Sequence, residues 1–301
     1  MRLQKSLAAI AAIGALLAGH AAPAQEPLKV VATFSILADF VKNVGGDRVV
    51  VHSLVGPNGD AHVYQPTPAD AKIVAGAKVV VVNGLGYEGW IERLIRASAT
   101  KLKPVVASEG VKLLRSAGHG HGHGHGQFDP HAWQSIANAK VYVANIRKAL
   151  IAADPAGKAA YEANAAAYLA KLDELEREVR EAVARIPPER RRIVTNHSAF
   201  AYFADAYGLE MLATQGVSTE TQPSAKEVAA LIRQIKARKI GGVFMENITD
   251  PRLIERIAKE TGARIGGVLY SDALTGPDGP APTYLDLIRH NIRSLSAALV
   301  G

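Results

Sequence analysis

Short β-branched runs alternate with amphipathic stretches along nearly the whole of this chain, and that alternation restricts its fold more than any other feature. Parallel strands cannot be joined by tight turns, so each needs a crossover connection, usually a helix. Strand runs fall at Leu28 to Thr33, Arg48 to Val55, Lys78 to Val82 and Pro104 to Ala107, with helical stretches at Ile36 to Val44, Pro68 to Ala75 and Glu88 to Ala97. The style repeats with strands at Arg192 to Thr195, Glu210 to Ala213, Gly242 to Met245 and Arg264 to Tyr270. Its helices fall at Ala199 to Tyr207, Ala225 to Arg238, Pro251 to Glu260 and Tyr284 to Leu299. The fold class is α/β, with two mainly parallel sheets and flanking helices.

A different composition separates the two halves. Pro155 to Ile186 is rich in Ala, Glu, Lys, Arg and Leu, with Leu172, Leu175, Val179 and Val183 at helical spacing. Pro155 suits a first helical turn and Pro187-Pro188 ends the run. A helix of this length would run about 48 Å. It is expected to be a rigid strut between two lobes with a cleft between them, the alternative being an ordinary surface helix of one domain. The expected organisation is 25–153 as a first lobe, 154–187 as the linking helix and 188–301 as a second lobe.

Residues 1–24 are read separately, because Arg2 and Lys5 precede an apolar run from Ser6 to Gly19 and the small-residue sequence Ala22-Pro23-Ala24. This is the pattern of a secretory signal peptide, too short in its apolar part to span a membrane. Removing Arg2 and Lys5 lowers the formal net charge from +7 to +5. That charge is too dilute for a nucleic-acid footprint, and Arg190-Arg191-Arg192 reads as a solvated turn. The chain has no cysteine, which excludes disulfides, thiolate metal sites and lipid attachment at a mature N-terminal cysteine. A free, monomeric periplasmic protein is expected.

Of the ten histidines, four alternate with glycine at His119, His121, His123 and His125, inside Gly118 to Gly126. Such a tract either binds borderline metals weakly and adaptably or acts as an inert spacer. With His20 in the signal, His52, His62, His131, His197 and His290 remain. His62, His131 and His197 sit in loops or turns after strand runs, and Asp272 ends the last one, which is where ligands of open α/β sheets bind. Each alone is weak: a loop histidine is usually solvated, and Asp272 could cap the following segment. Two from each half can converge in the cleft. His52 and His290 are structural by default.

The motifs around these residues resemble the metal-specific solute-binding proteins of bacterial ABC transporters, which capture zinc or manganese in the periplasm. The matching stretches are Gly59-Asp60-Ala61-His62, Pro66-Thr67-Pro68-Ala69-Asp70, Gly84-Leu85-Gly86-Tyr87-Glu88-Gly89-Trp90, Asp129-Pro130-His131-Ala132-Trp133, His197 through Phe203, and Ser271-Asp272-Ala273-Leu274. The resemblance implies two lobes joined by a rigid helix, a metal held by His62, His131, His197 and Asp272, and delivery to a membrane ABC permease. Histidine at the third position and a histidine-rich tract resemble the zinc-type members, whereas manganese-type members tend to carry glutamate there.

The donor chemistry agrees with that implication. Three neutral imidazoles and one carboxylate suit tetrahedral Zn²⁺, whereas Mn²⁺ favours more oxygen ligands and remains the alternative within the family. Four protein ligands fill the tetrahedron, which argues for capture over catalysis, so the chain is not expected to be an enzyme. A periplasmic zinc-dependent hydrolase with Asp272 as base is the competing class, although no H-E-x-x-H is present. No small organic substrate is expected. Gly84-Leu85-Gly86-Tyr87-Glu88-Gly89 also fits a dinucleotide fingerprint, with Glu109 downstream. It reads better as a tight strand-to-helix turn with Trp90 packed beneath. Glu246 either orients a metal-bound histidine or caps the turn that follows it.

Overall fold

A computed structural model describes residues 26–116 and 127–300. The signal-peptide reading and the Gly118 to Gly126 tract lie outside the described residues. Two four-stranded parallel sheets organise the molecule. The first contains β1 (Leu28–Phe34), β2 (Val49–Val55), β3 (Val79–Val82) and β4 (Val105–Val106) in the order β2-β1-β3-β4. The second contains β5 (Arg192–Thr195), β6 (Glu210–Ala213), β7 (Gly242–Glu246) and β8 (Arg264–Leu269) in the order β6-β5-β7-β8. β3 is four valines, all buried, as a central strand covered on both faces requires.

The helices are α1 (Ser35–Gly45), α2 (Pro68–Ala75), α3 (Ile91–Ser98), α4 (Ile136–Ala153), α5 (Lys158–Ala184), α6 (Ala201–Tyr207), α7 (Ala225–Arg238), α8 (Arg252–Thr261) and α9 (Tyr284–Leu299). The sequence reading passed over α4, although its buried Ile136, Ala139, Tyr142, Val143, Ile146 and Leu150 recur every three to four positions. α5 starts later than expected. Pro155–Gly157 forms a 3₁₀ turn, tightened because the Asp154 side chain accepts the Gly157 amide proton while also binding Arg48. Among the described residues, no helix is long and apolar enough to cross a membrane.

α5 runs about 40 Å and buries Tyr161, Ala165, Tyr168, Leu172, Leu175, Val179 and Val183 along one stripe. That stripe packs on α1 and α4 of the first lobe and on α9 of the second. Polar contacts follow the same division: Asn164 donates to Val44 O, whereas Tyr207 donates to Glu176 and Arg289 to Glu178. One continuous apolar cluster extends from β1 through α5 to Tyr270 and α9, with a smaller cluster around α7 and α8. The linking helix is thus seated along both lobes.

Candidate metal centre

Each sheet reverses its winding direction at its middle, between β1 and β3 and between β5 and β7. Strand ends diverge at such a point and leave a crevice. The two crevices face one another, and the loops after β2, β4, β5 and β8 carry His62, His131, His197 and Asp272 into the space between them. One donor atom from each lies within 4.8 Å of all the others, and all four residues are buried. Asp272 Oδ2 is 3.2 Å from His62 Nε2, 3.2 Å from His197 Nε2 and 3.6 Å from His131 Nε2. His62 Nε2 is 3.3 Å from His131 Nε2.

Local devices set each side chain. The chain after His62 enters α2 through a capping box between Thr67 and Asp70, with Pro68 in the first turn, and Tyr64 OH donates to the same Asp70. Trp90 Nε1 donates to Ala61 O at 2.8 Å, so this buried ring buttresses the His62 loop. Asp129 Oδ1 accepts from the His131 amide and lies 2.8 Å from His131 Nδ1, aiming Nε2 at the cluster. Glu246, at the end of β7, accepts from the His197 amide through Oε1, and its Oε2 sits 2.6 Å from His197 Nδ1. Asp272 is placed from the opposite lobe: Trp133 Nε1 and Gln134 Nε2 both donate to Ser271 O, at 2.9 and 2.6 Å.

The cluster's charges are mutually dependent. Burial pushes His62 below its ordinary value against the pull of Asp272, and repulsion from His131 and His197 adds to the lowering. Burial also opposes protonation of His131, but the charges of Asp272 and Asp129 outweigh it and raise the group to about 9. His197 is raised well above its ordinary value, because Glu246 and Asp272 overcome its burial. The carboxyl of Asp272 is held well below the usual carboxylate range by His131 and His197, although burial alone would raise it. A cation entering here displaces protons from imidazoles already aimed at one point.

The profile of the family described as "ZnuA: Zinc-uptake complex component A periplasmic" matches residues 30–298. The chain belongs to the ZnuA family. It is a periplasmic metal-binding receptor of an ABC transporter, which implies a membrane permease as partner, and it is not an enzyme. The iron-binding protein YfeA of Yersinia pestis is 37% identical over 271 residues, covering 90% of this chain and 86% of that protein. The manganese ABC transporter substrate-binding lipoprotein PsaA of Streptococcus anginosus is 32% identical over 280 residues, covering 91% and 90%. The solved structure of the periplasmic zinc-binding protein TroA from Treponema pallidum superposes with a TM-score of 0.85 at 30% identity, covering 91% of this chain and 100% of that one.

Within this ZnuA-family fold the glycine-rich turn has already committed the backbone N–H groups of Asn83 and Gly84, which a nucleotide phosphate would need. Its backbone N–H groups at Asn83 and Gly84 donate to Glu88 at 2.6 and 3.2 Å, and Thr33 Oγ1 donates to the same carboxylate. Gly84 has φ +83°, and a Cβ there would lie 2.6 Å from Val106 Cγ1. His52 pairs with Val31 across the sheet, and His290 Nε2 lies 3.0 Å from Val268 O, so neither joins the cluster. Sequence reasoning missed Asp129 as a partner of His131, although its place two residues before the histidine is the signal of a local side-chain-to-backbone turn.

Proposed function

We propose that this receptor captures Zn²⁺ between its lobes through His62, His131, His197 and Asp272 and delivers it to the permease. The observation that carries the reading is the donor set and its spacing. Metal–ligand distances of about 2.0–2.2 Å in a tetrahedron place neighbouring donors about 3.3–3.6 Å apart; the three Asp272–imidazole pairs and the His62–His131 pair measure 3.2 to 3.6 Å, and every pair lies within 4.8 Å. Three borderline nitrogen donors and a single carboxylate favour Zn²⁺ over the oxygen-seeking Mn²⁺. Asp129 and Glu246 supply the carboxylates that metal-bound imidazoles require on their other nitrogen.

Relatives named for iron and manganese match over most of their length, and so does a structure named for zinc, so overall similarity does not choose the ion. The donors touch the ion and the rest of the fold does not, so the donor set carries more weight. Elemental analysis of untagged protein, taken from a periplasm grown without added metal, tests the reading. One zinc per chain is expected, and stoichiometric manganese or iron would overturn it.

A further inference from the structure

Tyr87 is a part of this site that the four-donor account leaves unused. It lies in the turn between β3 and α3, and its ring meets His62 edge-on at a centroid distance of 4.6 Å and His131 at 5.9 Å. Phe34 and Trp133 close its other sides at 5.0 and 4.9 Å. The residue is 1% exposed, and its hydroxyl makes no hydrogen bond of ordinary geometry, although Asp272 is close enough to interact with it. Asp272 presents the complementary deficit. Its Oδ2 meets the three imidazoles, whereas Oδ1 is buried without a partner. A phenol O–H is a hydrogen-bond donor, and Asp272 lies near enough for its charge to act on the Tyr87 phenol.

We propose that Tyr87 is a specificity-determining residue: when metal is bound its hydroxyl donates to Asp272 Oδ1, which keeps the carboxylate monodentate through Oδ2 and the ion four-coordinate. This rests on reading the cluster as the zinc site. With Oδ1 engaged, the sphere holds three nitrogens and one oxygen, which satisfies Zn²⁺. With Oδ1 released, the carboxylate can chelate through both oxygens, and the added oxygen donor favours Mn²⁺. The ring places the hydroxyl, and Trp133, which holds the ring, also holds Ser271 beside Asp272.

The Tyr87→Phe variant removes the hydroxyl and keeps the ring packing. Metal-free wild type and variant are loaded with Co²⁺, whose visible bands are intense when four-coordinate and weak at higher coordination, and Zn²⁺ and Mn²⁺ affinities are measured by chelator competition. Wild type is expected to show the intense spectrum. In the variant the bands weaken, and the preference for Zn²⁺ over Mn²⁺ falls about tenfold, the size of one hydrogen bond to a charged group. Identical spectra in the two proteins would overturn the role of Tyr87 while leaving the zinc site intact. Absence of tight zinc in wild type would overturn the site reading and this inference with it.

Discussion

Asp129 and Glu246 hold His131 and His197, two of the imidazoles proposed to take the metal, and loss of such a partner typically lowers metal affinity by about 10- to 100-fold. Glu246→Gln keeps the size of the side chain but removes the charge beside His197 Nδ1, so a chelator-competition titration should show a loss in that range; unchanged affinity would show that Glu246 only shapes the β7 turn. Protonation acts on the same atoms. In the metal-free chain His131 holds its proton up to about pH 9, and the ion must displace it. Apparent zinc affinity should therefore rise with pH towards about 9 and fall on acidification, and an affinity flat across that range would contradict an imidazole-based site. The four clustered residues were legible as polar groups in loops after strand runs. Tyr87 was not, because only the packing of its turn across β1 brings the ring to His62.

α1 illustrates how an element can carry a pH dependence of its own. Its Asp39 is buried where α1, α5 and α9 meet, accepting from the Tyr284 amide and the Tyr168 hydroxyl. Burial outweighs these hydrogen bonds and raises the carboxyl to about 6. Between about pH 4 and 6 the folded chain keeps a proton that the unfolded chain gives up, so this group makes stability fall as pH rises through that window. A two-unit shift corresponds to about 3 kcal/mol, present as a penalty above pH 6 and absent below pH 4. Urea unfolding of metal-free Asp39→Asn at pH 4.5 and 7 should show less loss on going to pH 7 than the parent; an identical pH dependence would place the titration elsewhere. The strands could be read because parallel strands buried on both faces leave continuous apolar runs such as Val79 to Val82. α4 shows the converse: its periodicity is present, but small alanines dilute its apolar stripe.

Across the whole molecule, the two lobes share one apolar cluster, and α5 is anchored to both. Such a frame opposes a wide hinge, so zinc should change the radius of gyration by less than about 1 Å. The assembled site exists only in the folded chain, so zinc at a hundred times its dissociation constant should stabilise it by about 2.7 kcal/mol, raising the melting temperature by roughly 5 °C or more. A change of several ångströms in solution scattering would contradict the seated helix, and an unmoved melting temperature the coupling of site to fold. The long helical pattern announced a connector in the sequence. Its seating against α1, α4 and α9 was not visible there, because each partner stripe is read separately along the chain. The most direct test of the central claim is competitive titration of Zn²⁺ and Mn²⁺ into metal-free protein lacking Gly118 to Gly126. One tight zinc equivalent, bound in preference to manganese, is the predicted result. Loss of tight binding on deletion, or manganese bound more tightly than zinc, would contradict a zinc site built from His62, His131, His197 and Asp272.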